Sequence, residues 1–114
     1  MKRPDKFELN VHKGSTAVVL KLRGSAGMGE ADTLRAKLEE LAETRTPVII
    51  LDLTDMDFIS SAVLGAIIFG HLKSRHHRGE IRLVNPRPEV RRLLETTRLT
   101  KLFPIYVTVE QAIA

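Results

Sequence analysis

The run Val48-Ile49-Ile50-Leu51-Asp52-Leu53 constrains this chain more than any other stretch. It is apolar without alternation as far as Asp52, so a strand built from it has both faces shielded from water. Crossover helices around a sheet supply that cover, and the flanking segments fit such an arrangement. Phe7 to Val11 alternates Phe7, Leu9 and Val11 with Glu8 and Asn10, the period of a half-buried strand. Lys13-Gly14-Ser15 reads as a turn into a second strand over Thr16–Arg23, with Val18, Leu20 and Leu22 on one face. Gly24 to Gly29 reads as a flexible loop, and a helix is predicted from about Glu30 to Glu43 with Ala31, Leu34, Leu38 and Leu41 on one stripe. Beyond the central strand a loop is expected over Thr54–Ile59. A second helix then runs from about Ala62 to Arg75, burying Leu64, Ile67, Ile68 and Leu72. Gly79 stops that region and Glu80–Asn85 forms a short strand. Pro86-Arg87-Pro88-Glu89 opens a third helix, since proline suits the first turn and glutamate its positive end; Val90, Leu93 and Leu94 give its core contacts. Leu102–Val107 holds a last short strand, and Thr108-Val109-Glu110-Gln111 has capping-box spacing for a terminal turn. The expected order is β-β-α-β-α-β-α-β-α, an α/β fold in one domain over residues 1–114.

Composition narrows the function classes. Apolar residues make up 43% and charged ones 28%, too apolar for a disordered chain. Zero cysteine removes a disulfide framework, a thiolate zinc site, an iron–sulfur cluster and a cysteine nucleophile. The longest apolar run, Ala62 to Gly70, falls well short of the roughly 20 residues that span a bilayer, so no membrane insertion is expected. Met1-Lys2-Arg3-Pro4-Asp5-Lys6 is charged and leads into no hydrophobic signal segment, so a cytoplasmic domain is expected. The net charge of +4 is uneven, because nine basic residues face three acids between His71 and Lys101. Four Phe and one Tyr, all scattered, do not make the stacking platform of a single-strand binder. The basic strip reads as a solvated helix surface with no direct nucleic-acid contact.

Three constellations could carry chemistry. Asp52, Asp55 and Asp57 cluster after the central strand, where α/β proteins often bind ligands, but acid–base or metal work needs converging partners. His71, His76 and His77 do not supply them from spacing, and a surface setting is expected for all three; no metal, cofactor or catalytic set is assigned. Gly24, Gly27 and Gly29 match neither a dinucleotide fingerprint nor a P-loop, which leaves a surface loop or a partner contact. Ser60-Ser61 is more informative. One hydroxyl can cap orphan N–H groups where the loop enters the second helix, but capping explains only one serine of the pair. A phosphate on a serine there would meet a helix N-terminus, which favours anions.

The stretch from Val48 to Ile68, VIILDLTDMDFISSAVLGAII, resembles the signature segment of STAS domains, the modules of bacterial anti-sigma factor antagonists, stressosomes, sulfate transporters and lipid-transport complexes. In the family pattern an apolar strand, an acidic or amide loop and an aromatic lead into Asp-Ser-Ser/Thr-Gly-Leu-Gly. Leu64-Gly65 matches the Leu-Gly, and Ser61 takes the place of the phosphoacceptor serine. Leu22 to Leu41 tracks the family's Leu-x-Gly-Glu-Leu-Asp loop and first helix, and Val90 to Ala114 is similar to its ending. Departures lie at Ser60, in place of the aspartate; at Ala62 and Val63, in place of Ser/Thr and Gly; and at Ser25 and Gly27, in place of Glu and Asp. The resemblance implies a single STAS-type domain with a mixed central sheet and a non-catalytic partner-switching role in transcription control. The unmodified chain would bind an anti-sigma factor that is also a serine kinase, phosphorylation of Ser61 would break that complex, and a phosphatase would reset it. Ser25, Gly27, Met28, Asp57, Ser60, Ser61, Ala62 and Leu64 would form the docking face. A constitutive scaffold or regulatory subunit, as in stressosomes or lipid-transport complexes, is the alternative on the same surface without phosphorylation.

Overall fold

The computed structural model describes residues 6–114, and the rest of the charged N-terminal stretch, residues 1–5, lies outside the described residues. The apolar run opens a long strand at the centre of a five-stranded sheet. In chain order the elements are β1 (Glu8–Lys13), β2 (Ala17–Ala26), α1 (Met28–Glu43), β3 (Val48–Ile59), α2 (Ser61–Arg75), β4 (Glu80–Val84), α3 (Pro88–Thr96), a 3-10 turn (Leu99–Lys101), β5 (Ile105–Tyr106) and α4 (Val109–Ile113). The expected order holds, with the 3-10 turn added. The strands lie side by side in sequence order; β1–β2 is antiparallel and the other pairs are parallel, so the sheet is mixed.

Each crossover from β2 onward steps one place in the same direction. Right-handed crossovers therefore put α1, α2 and α3 on one face. Leu20, Leu38, Leu51, Ile67, Leu83 and Leu94 meet there in one core, all fully or nearly fully buried. On the opposite face Ile50 is covered differently: Ala112 of the short α4 packs with it and with Ala17 and Val84. The unbroken apolar run thus reflects two covers of unequal size, a layer of helices and a single small plug.

Several local expectations change. The predicted loop over Thr54–Ile59 is strand, because β3 carries two one-residue bulges. Lys21 pairs with Asp52 and Arg23 with Asp55; Gly24 pairs with Met56 and Ser25 with Phe58, so β3 twice spends an extra residue against β2. The bulges keep Leu53, Met56 and Ile59 buried at a spacing of three while Asp57 and Phe58 turn outward. The flexible loop over Gly24–Gly29 likewise shrinks to Gly27, since β2 continues to Ala26 and α1 begins at Met28. Gly24 sits at the second bulge with φ 90, a backbone that L side chains rarely adopt.

In α2 the buried stripe runs through Val63, Ile67, Gly70 and Ser74, so Leu72 falls off it and is 58% exposed. That stripe approaches α1 closely: a Cβ at Gly70 would stand 2.8 Å from Leu38 Cδ1. The last strand is only Ile105–Tyr106, because Leu99–Lys101 winds into the 3-10 turn and Pro104 has no N–H for a ladder. Phe103 is buried there while Leu102 stays exposed. Leu93, expected in the core, packs at its edge beside the buried Val90 and Leu94.

Gly24→Ala should lower stability by about 1–2 kcal/mol, because alanine must then hold a left-handed backbone within a strand. Urea denaturation checks this: the midpoint falls with little change in slope.

Candidate functional site

The β2–β3 ladder ends where two helices begin. Ser25 pairs with Phe58 and Ala26 with Ile59, and the Ser60 N–H then donates to the Ala26 carbonyl at 3.0 Å. This last bond ties the entry of α2 to the exit of β2, one residue from the start of α1. Gly27 is the N-cap of α1 and Ser60 the N-cap of α2. Both positive helix ends therefore open on the same edge of the sheet.

The two serines divide their work. Ser60 Oγ accepts from the Val63 N–H at 3.3 Å, and its carbonyl accepts from the Leu64 N–H at 3.2 Å. Ser60 is the cap. Ser61, the first helical residue, is exposed and takes no part in that capping. No acidic residue lies in the first turn of α2, whereas α1 carries Glu30 in its own.

Two exposed apolar side chains belong to the same end of the sheet as Ser61, one at the start of α1 and one near the end of β3. Met28 is 78% exposed and Phe58 54%. Between α1 and α2 runs a groove of about 380 Å3 whose floor is Gly29, Ala31, Ala62, Gly65 and Ala66, with Asp32 and Arg35 at its edge. The Arg35 guanidinium lies over the Phe69 ring at 4.0 Å from its centroid, which fixes one wall. A second, more apolar hollow of about 220 Å3 lies between Phe58 and Ile59 of β3 and Val90 and Leu93 of α3. Asp57 at its rim is ion-paired with Arg87, and Arg87 Nε also donates to the Thr54 carbonyl at 3.0 Å.

Most of the residues expected at the docking face do gather here. Ser25, Gly27, Ser60 and Ala62 are half-buried, and Met28, Asp57 and Ser61 are exposed. Leu64 is the exception. It is 5% exposed inside the main core, one turn into α2 on the inner stripe, and presents no surface to a partner. Sequence reasoning passed over Phe58 and Arg87. Phe58 is exposed only because of the second bulge, and Arg87 reaches the site from 30 residues away in sequence.

The other constellations disperse. Asp52 turns to the α4 face, where its Oδ1 accepts from the Thr54 N–H at 3.1 Å and the Thr54 hydroxyl at 2.6 Å. Asp55 faces Lys21 at 3.6 Å, so the three aspartates do not converge. No group of three or more metal-ligating side chains forms among the described residues. Of His71, His76 and His77, which lie elsewhere, only His76 is a plain surface residue. His71 is half-buried edge-on to Phe103, ring centroids 5.2 Å apart; burial first, then the Arg75 charge, holds its imidazole below the ordinary range. His77 is half-buried, its ring Nε2 3.1 Å from the Thr46 carbonyl.

This division of labour predicts that Ser60→Ala costs about 1 kcal/mol of stability through the lost cap, while Ser61→Ala leaves stability within about 0.5 kcal/mol. Paired thermal and urea melts check it.

The chain is similar to known proteins along nearly its whole length. Residues 6–112 match the family model described as the STAS domain. An anti-sigma F factor antagonist from Paenibacillus polymyxa is 29% identical over 101 residues, covering 88% of this chain and 85% of the relative. The crystal structure of an anti-sigma factor antagonist from Mycobacterium paratuberculosis superposes with a TM-score of 0.86 at 25% identity, over 99% of this chain and 96% of that one. The antagonist SpoIIAA shares the fold in two solved forms. Its unphosphorylated form has a TM-score of 0.83 at 24% identity, over 95% and 93% of the two chains. Its phosphorylated form, from Bacillus, has a TM-score of 0.75 at 23% identity, over 95% and 96%. The chain belongs to the STAS domain family, among relatives that are anti-sigma factor antagonists.

Proposed function

We propose that this chain is a non-catalytic anti-sigma factor antagonist of the cytoplasm, and that Ser61 is its phosphoacceptor. The observation that carries the reading is the separation of the two serines: Ser60 is committed to the cap, and Ser61 stands exposed in the first turn of α2 with no part in it. The unmodified face is suited to a partner. It offers exposed apolar side chains beside two hollows, and Asp57 at the rim of the second is ion-paired with Arg87. The partner in this reading is an anti-sigma factor that is also a serine kinase, with a phosphatase restoring the hydroxyl.

A phosphate on Ser61 would bring about −1.5 to −2 charge to that face. Docking would then require burying a charge for which the face supplies no unpaired basic partner in the first turn of α2. The fold itself would tolerate the modification, because the helix N-terminus favours negative charge and no acid of that turn repels it. Switching would thus act on the complex while the monomer stays folded. That a solved relative is described in both unphosphorylated and phosphorylated forms supports this reading.

Binding to the cognate anti-sigma factor, measured by calorimetry, tests it. Ser61→Asp should weaken the complex by at least about tenfold, and Ser61→Ala should keep affinity within about threefold of the parent. Equal binding by the two variants would contradict the switch and favour a constitutive scaffold.

A further inference from the structure

The end of the sheet remote from Ser61 carries a second site. There the C-termini of α1 and α2 converge on a hollow of about 310 Å3 lined by Arg45, Pro47, His76, His77 and Arg78, with no acidic side chain in its lining. A neighbouring hollow shares Arg45, His76 and His77 and adds Lys73 together with Glu39 and Glu43. Among the described residues no ion pair engages Arg45, Arg78 or Lys73. Two arginines therefore line one concavity whose lining holds no carboxylate.

The two arginines also share a backbone conformation. Arg45 and Arg78 are both left-handed, at φ 57 and φ 65. Each stands just past a helix whose C-terminus folds back on itself. The Thr46 N–H donates to the Leu41 carbonyl at 3.0 Å, and the Gly79 N–H to the Ser74 carbonyl at 2.7 Å. Glycine is the residue such positions favour, and an arginine there carries a conformational cost. Neutralising the negative helix end does not account for it at α2, where Lys73 and Arg75 already occupy the last turn without strain. Asn85 and Arg98 are left-handed as well, at φ 48 and φ 62, so the conformation is not particular to this hollow; what sets Arg45 and Arg78 apart is that both line it.

The rest of the wall is rigid. His77 is held through its ring nitrogen on the carbonyl of the buried Thr46, whose hydroxyl lies 3.4 Å from that of Thr44. His76 is exposed at the rim. The planar donor fork of arginine matches phosphate oxygens two at a time. We propose that this hollow binds a phosphate-bearing small molecule, with Arg45 and Arg78 as its paired anchors and His76 as a further donor. The site is independent of the docking face and of Ser61.

Titration of the full chain with inorganic pyrophosphate at low salt, followed by amide chemical shifts, tests the proposal. Saturable shifts should be confined to residues around Arg45 and His76 to Gly79. In the double variant Arg45→Gly/Arg78→Gly affinity should fall at least about tenfold. The same variant should melt no lower than the parent, because glycine fits both left-handed positions. Arg92→Ala, which removes an exposed charge from α3 in the same basic strip, should leave the titration unchanged. Shifts that never saturate, or an affinity that survives the double variant, would overturn the site. So would an equal loss with Arg92→Ala.

Discussion

The parallel ladder between β2 and β3 is the constraint on which the rest of this molecule depends. It joins the two longest strands and continues through two bulges to the Ser60 N–H on the Ala26 carbonyl. Everything at the candidate site is positioned by its final steps. Because α1 leaves β2 and α2 leaves β3 at the same level, their N-terminal ends share one edge and their C-terminal ends share the other. The second bulge then rotates Asp57 and Phe58 outward without giving up the burial of Met56 and Ile59. A sheet without those bulges would put a charged or an aromatic residue into the core.

This geometry gives the two ends of the molecule opposite chemical characters. At the strand C-terminal end, free helix N–H groups and neutral small side chains surround exposed Met28 and Phe58. In the proposed switch, negative charge added there would be tolerated by the fold and would oppose docking. At the other end helix carbonyls converge: Lys73 and Arg75 stand in the last turn of α2, and Arg45 and Arg78 line the hollow beyond it. The uneven basic balance of the sequence thus resolves into place. Part of it lies on exposed α3, and part gathers with Arg45 around one hollow.

The architecture was legible because its signals were periodic. Leu34, Leu38 and Leu41 mark α1, and the unbroken run from Val48 marks a covered strand; both are local patterns. What was not legible were features set by pairing. Leu53, Met56 and Ile59 recur every three residues, which fits neither strand nor helix until the bulges against β2 are seen. Leu72 continues an apolar series in α2 yet is exposed, because the close approach of Gly70 to Leu38 fixes which stripe faces inward. At the site, the serine pair and the Ser25–Met28 region could be read from the sequence. Leu64 could not be separated from its exposed neighbours, since one residue along a helix changes its facing by about 100°. Arg87 was beyond reach for another reason: only the fold brings it to Asp57.

The central claim is that Ser60 serves the fold and Ser61 serves the signal. Incubation with the cognate serine kinase and ATP, followed by intact-mass analysis and fragment mapping, tests it most directly. The account predicts one phosphate per chain, carried on Ser61, and none on Ser61→Ala. A phosphate mapped to Ser60, or an unmodified chain beside an active kinase, would contradict it.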